Sequence, residues 1–160
     1  MRWIWIDKFV EFESGKRAVS IKNVSMAEEH LHDHFPGYPV MPATLLIEAM
    51  AQTSGILVGE VRDFKEKVIL AKVNKAVFYA EARPGDQLRL EATIDNLAAE
   101  AAIISGRITC GDNLIAEIGL MFSHIDQNLG GMEFPEENFV FDNGQFMDLL
   151  RGYKVENAKE

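Results

Sequence analysis

From Phe9 to Val24, apolar and polar positions alternate unevenly around Glu13-Ser14-Gly15-Lys16, a turn-rich break between two β-compatible runs. The pattern predicts a hairpin. Between Glu29 and Pro42 the chain is dense in histidine and proline; Pro36, Pro39 and Pro42 remove backbone donors, which predicts a shaped loop without regular structure. The spacing then changes. From Ala43 to about Arg62 the run ATLLIEAMAQTSGILVGEVR is apolar on nearly every side, as in a helix buried all round and not one lying on a surface, and Pro42 suits its first position. After Lys67 come four extended runs, Val68 to Arg83, Gln87 to Asn96, Ala99 to Cys110 and Leu114 to Asp126. The breaks Pro84-Gly85-Asp86, Leu97-Ala98 and Gly111-Asp112-Asn113 make them antiparallel strands joined by short turns. A hairpin, one apolar helix and a meander share a natural solution, an α+β arrangement in which the sheet curls around the helix and hides its apolar surface.

Composition narrows the class. With 160 residues and 48% hydrophobic content the chain can bury the core of one globular domain. We expect that domain to occupy residues 1–129, because from Gly130 to Glu160 the character shifts toward Asn, Glu, Gly and scattered Phe, an extension packed on the surface or partly ordered. The lone cysteine, Cys110, excludes an intramolecular disulfide and reads as a small buried strand residue. Asp7 interrupts the opening MRWIWIDKF before it reaches the length of a secretion signal, and no run approaches the ~20 apolar residues of a membrane span. A soluble cytoplasmic protein is expected. The net charge of −9, with no tight cluster of Lys or Arg, argues against nucleic acid as a partner.

Several residues could carry chemistry. Glu48 sits inside LLIEAMAQ, where lost hydration pushes a carboxyl group toward holding its proton near neutral pH. Gln52, one turn on, can hydrogen-bond and orient it; pairing of Glu48 with a distant cation at a helix edge stands as the alternative. His30, His32 and His34 alternate with Leu31 and Asp33, so an extended backbone would put three imidazoles on one face. Such a face suits a metal, yet the following prolines break the strand and no further ligand stands at a diagnostic spacing, so no metal is expected. His34 can instead act as a general base, with His30 and His32 as plain loop residues. At the start of the helix the amides of Ala43 and Thr44 lack intrahelical partners and could polarise a carbonyl oxygen.

Together, His34-Phe35-Pro36-Gly37-Tyr38-Pro39-Val40-Met41-Pro42 and Leu46-Ile47-Glu48-Ala49-Met50-Ala51-Gln52 closely resemble the signature of bacterial 3-hydroxyacyl-[acyl-carrier-protein] dehydratases of the FabZ type. Asn74-Lys75-Ala76-Val77-Phe78 and Arg83-Pro84-Gly85-Asp86-Gln87-Leu88 extend the resemblance, which covers roughly residues 10 to 125. It implies a hot-dog fold, a curled antiparallel sheet wrapped around one long buried helix. It also implies a homodimer, as a trimer of dimers, whose acyl tunnel runs along the interface and whose sites each combine His34 of one subunit with Glu48 of the other. Glu48 sets this type apart from the similar FabA dehydratase-isomerase, which carries Asp there, so dehydration without isomerisation is implied. Where the family usually reads Pro-Gly-Val, this chain has Pro42-Ala43-Thr44. The backbone N–H assigned to the thioester oxygen is retained by Ala43, beside a methyl group that glycine lacks.

In the implied reaction His34 takes the C2 proton, the Ala43 amide and helix dipole stabilise the charge on the thioester oxygen, and Glu48 donates to the departing 3-hydroxyl. No metal or organic cofactor is needed. The partner is acyl carrier protein bearing a 3-hydroxyacyl chain; it is itself acidic, so a local basic patch must receive it, with Lys72, Lys75 and Arg83 as candidates. Two other functions compete. A hot-dog acyl-thioesterase would share the fold and direct water at the carbonyl, and a noncatalytic acyl-ACP binding protein would need neither His34 nor Glu48.

Overall fold

The computed structural model describes residues 3–125 and 144–157. Six strands form one antiparallel sheet in the order β1-β2-β4-β5-β6-β3. The strands are β1 (Lys8–Glu13), β2 (Arg17–Asn23), β3 (Val68–Phe78), β4 (Gln87–Leu97), β5 (Ala101–Cys110) and β6 (Asn113–His124). The expected hairpin is β1 and β2, paired antiparallel from Lys8↔Ile21 to Glu13↔Arg17. Three helices complete the described residues: α1 (His30–Asp33), α2 (Ala43–Glu60) and α3 (Gly144–Asn157).

Alternation along the strands explains why the sheet wraps α2. Leu88, Leu90 and Ala92 of β4, Ala102, Ile104 and Ile108 of β5, and Ala116, Ile118, Leu120 and Phe122 of β6 all point inward and are buried, with Ile56 and Leu57 of α2 among them. Polar helix residues cause no deficit inside this core: Thr53 Oγ1 donates to Ala49 O and shares a 2.6 Å hydrogen bond with Ser20 Oγ, and Ser54 Oγ donates to Met50 O. Gly106 lets the helix approach the sheet. A Cβ there would stand 2.6 Å from Met50 Sδ and 3.0 Å from Ile118 O.

Several expectations need correction. The helix is not buried all round: Leu45, Leu46 and Ala49 to Gly59 are buried, but Ala43 and Thr44 are exposed and Ile47 and Glu48 half-buried, because one side of the first turns is left uncovered. The stretch Glu29–Pro42 is not without regular structure, since the single turn α1 fits before the first proline. The run expected as a strand from Val68 to Arg83 stops at Phe78, five residues early, and turns toward Pro84-Gly85. Cys110 is half-buried where full burial was expected, because it closes β5 at a turn. Of the extension beyond Gly130, residues 130–143 and 158–160 lie outside the described residues; α3 packs beside β1, with Leu150 buried in the core cluster. The two outer strands differ. Phe12 N–H of β1 donates to Tyr153 Oη of α3, whereas β3 is exposed on both faces from Ile69 onward.

Candidate active site

His34 terminates α1, where its backbone N–H donates to His30 O. The chain then makes a tight turn in which Phe35 and Tyr38 exchange backbone hydrogen bonds of 3.0 and 2.8 Å. Pro36 presets the turn and Gly37 supplies its φ of +73°, which a side chain would resist. The loop closes on His34 itself: Val40 N–H donates to His34 O at 2.9 Å, and His34 Nδ1 lies 3.0 Å from Val40 O. A carbonyl oxygen can only accept. Nδ1 must therefore carry the hydrogen, which leaves Nε2 of the neutral ring with an unshared electron pair, the form a general base needs. Met41 N–H donates to Ala82 O and so anchors the loop to the segment after β3, where Pro84-Gly85 makes a second turn, with φ +100° at Gly85.

Glu48 occupies the open side of α2. Gln52 Nε2 donates to Glu48 Oε1 at 2.9 Å, as the one-turn spacing predicts. That same nitrogen donates to Trp3 O at 2.7 Å, while Gln52 Oε1 accepts from Trp5 N–H at 2.8 Å. The amides of Ala43 and Thr44 begin the helix in the exposed turn, where among the described residues no backbone group accepts from them. His34 and Glu48, by contrast, share no hydrogen bond within the chain: His34 is held by Val40 and Glu48 by Gln52.

The other candidates fall elsewhere. Because α1 is helical, the three histidines do not share one face as an extended backbone would require: His32 is exposed, its Nε2 2.9 Å from Met26 O, while His30 packs edge-on against Trp5. Burial holds the His30 imidazole below its ordinary value of 6.5. Lys72 and Lys75 are exposed on β3; Lys75 pairs with Glu117 at 2.6 Å, which raises the ammonium's pKa and lowers the carboxyl's. Arg83 donates to Glu81 at 2.9 Å and lies 4.0 Å from the centre of the Tyr38 ring, whose hydroxyl donates to the same carboxylate. This cluster ties the His34 loop to the β3–β4 connection. Sequence reasoning missed Val40 O, Trp3 O and Trp5 N–H because they are backbone groups, and any residue type could have supplied them. The alternation Trp3-Ile4-Trp5 was the sole available signal.

A family model described as FabA-like domain matches residues 3–119. A 3-hydroxyacyl-[acyl-carrier-protein] dehydratase FabZ of Caldanaerobacter subterraneus subsp. tengcongensis is 41% identical over 121 residues, which are 75% of this chain and 86% of that protein. The protein of that name from Clostridioides difficile is 36% identical over 126 residues, 78% of this chain and 89% of its own. Among solved structures, the dehydratase heterocomplex ApeI:P from Xenorhabdus doucetiae superposes with a TM-score of 0.65 at 15% identity, covering 80% of this chain and 90% of that one. The PaaI protein of Escherichia coli, from a phenylacetic acid degradation operon, gives 0.60 at 14% identity over 75% and 79%. At such identities the likeness concerns the fold, which the α+β sheet wrapped around α2 shares.

Proposed function

The chain belongs to the FabA-like family, and from that premise we propose that it dehydrates a 3-hydroxyacyl thioester carried on acyl carrier protein to the trans-2-enoyl thioester, in fatty acid biosynthesis. The observation that carries the mechanism is the 3.0 Å contact of His34 Nδ1 with Val40 O, which reserves Nε2 as the base. His34 Nε2 takes the C2 proton, and the electron pair left behind forms the C2–C3 double bond. The C3–O bond breaks, and the oxygen leaves as water with the proton supplied by Glu48. His34 ends as imidazolium and Glu48 as carboxylate, so in the reverse reaction Glu48 takes a proton from the attacking water and His34 returns its proton to C2. The Ala43 amide, at the positive end of α2, faces the charge that develops on the thioester oxygen, and no metal or organic cofactor enters.

The site is completed by a second copy. Support comes from the lack of any hydrogen bond between His34 and Glu48 within one chain, and from the open β3 edge, where Ile69, Leu70, Val73, Val77 and Phe78 are exposed. Pairing of β3 with its counterpart covers those side chains and sets Glu48 of one subunit against His34 of the other. Three such dimers make the full assembly, and a cytoplasmic location goes with this reading. Among the described residues no helix is long and apolar enough to cross a membrane. Acyl carrier protein docks near Lys72, Lys75 and Arg83. Of these, Lys72 presents its charge without an ion pair among the described residues, while Lys75 and Arg83 are already paired with Glu117 and Glu81.

Mass spectrometry of acyl carrier protein loaded with 3-hydroxyacyl chains tests the assignment. Loss of one water from the carried chain is the expected result. Release of the free carrier would make the protein a thioesterase, and an unchanged carrier mass would make it a binding protein.

A further inference from the structure

Gln52 uses both of its N–H donors and its carbonyl oxygen. Its carbonyl accepts from Trp5 N–H at 2.8 Å, and its amide nitrogen donates once to Trp3 O at 2.7 Å and once to Glu48 Oε1 at 2.9 Å. The two backbone partners have fixed polarity, since an N–H can only donate and a C=O can only accept. Turning the amide over would set oxygen against oxygen at Trp3 and N–H against N–H at Trp5. The end of Gln52 that reaches Glu48 is consequently an N–H. A carboxyl oxygen facing an N–H acts as acceptor, so when Glu48 is protonated the hydrogen sits on Oε2.

We propose that the N-terminal segment Trp3–Trp5 selects which oxygen of Glu48 carries the proton, by fixing the orientation of Gln52 and reserving Oε2 for delivery to the departing hydroxyl. The proposal rests on the assignment of Glu48 as the acid; Gln52 is a positioning residue that acts through it. The O–H bond at Oε2 breaks as the new O–H bond on the leaving oxygen forms, and Gln52 holds Oε1 unchanged throughout. The segment is well suited to this because side chains pin it from several directions. The rings of Trp3 and Trp5 meet edge to face at 5.3 Å, and Trp5 meets the His30 ring at 5.2 Å. The Lys22 ammonium, ion-paired with Glu28, stands 5.9 Å from the Trp5 ring centre. Directly after the segment Ile6 is buried, and Asp7 N–H donates to Ile21 O at 2.7 Å, joining the strap to β2.

The test separates the backbone donor from the indole. Trp5→Pro deletes both, whereas Trp5→Leu deletes the ring and keeps the N–H. At saturating 3-hydroxyacyl thioester, kcat of Trp5→Pro is expected at least about tenfold below that of Trp5→Leu, with KM of the two within about twofold and the oligomeric mass alike. Equal kcat in the two folded variants, with Glu48→Gln still inactive, overturns the proposal; wild-type turnover in Glu48→Gln instead overturns the acid assignment on which it rests. Should Trp5→Pro fail to assemble, the side-chain amide of Gln52 in the unmodified protein decides the matter by nitrogen-edited NMR, its signals identified by their loss in Gln52→Met. Two inequivalent, exchange-protected protons are expected, and a pair exchanging as freely as in an exposed glutamine overturns the proposal.

Discussion

His34 has two jobs that one substitution can separate. Its Nδ1–H holds Val40 O at 3.0 Å, and its Nε2 is the proposed base. Asparagine keeps an N–H donor at about the place of Nδ1 but has nothing at the place of Nε2. In His34→Asn the bond to Val40 survives. In His34→Ala it is lost, at a net cost of about 1 kcal/mol for a neutral hydrogen bond. The ring also stacks on Phe35 at 4.0 Å, but Phe35 is 53% exposed, so little further stability depends on that contact. For a chain of this length 1 kcal/mol shifts Tm by about 2–4 °C. His34→Asn should therefore unfold near the wild-type temperature and His34→Ala a few degrees lower. Turnover should fall in both by about 10²–10⁴-fold, the usual worth of a positioned acid/base group. Water loss from a 3-hydroxyacyl chain on acyl carrier protein, followed by mass, gives the rate, and thermal unfolding gives Tm. Wild-type turnover in a folded His34→Asn protein would refute the reasoning, since that variant retains the loop and lacks only the base.

Three other predictions follow from different parts of the molecule. Glu48→Gln should lose about 10²–10⁴-fold in turnover, and mixing it with His34→Ala should restore partial activity if subunits share sites; a mixture as inactive as its components would mean that each chain builds its own. Gly106→Ala should cost about 1–3 kcal/mol by overpacking, measured by denaturant unfolding, because the new Cβ meets Met50 Sδ at 2.6 Å and the Ile118 carbonyl at 3.0 Å; a second change, Met50→Ala, should fail to relieve the carbonyl contact. Burial holds His30 below 6.5, so as pH falls the unfolded chain takes up this proton before the folded one, and stability present at higher pH declines through and below that value. The decline of Tm between about pH 7 and pH 5 should be shallower in His30→Gln, and an unchanged slope would place the sensitive group elsewhere.

Much of the architecture was legible because period and punctuation agree with it. The hairpin around Gly15, the helix from Ala43 and the three strands of the meander after Gln87 stand where alternation and turn residues put them. Glu48 and Gln52 could be paired from spacing alone, since one helical turn fixes their neighbourhood. Failures have a common origin in groups that sequence leaves silent. The early end of β3 is set by backbone pairing: Phe78 is the last residue in register, opposite Ala116, and beyond it Tyr79 and Ala80 N–H both turn onto the one carbonyl of Ile115, which ends the ladder. Alternating histidines suggested a strand, but the run is a helical turn, because three prolines downstream constrain the chain only after His34 has closed it. The tautomer of His34 depends on a backbone carbonyl six residues away, which no side-chain pattern announces.

The unlike edges of the sheet bear on how many copies can join. A strand edge behaves as a binding valence, and a sheet open at both ends has two, so copies can add without limit and grow into a fibre. Here Tyr153 of α3 occupies the Phe12 donor on the β1 side, while β3 stays open. Where copies pair through β3 alone, two copies consume both open edges at once, and growth along the sheet ends at the pair. On the other side, the helix beyond the family's matched residues takes one donor of the β1 edge, and an assembly larger than such a pair is built through faces and not through strands.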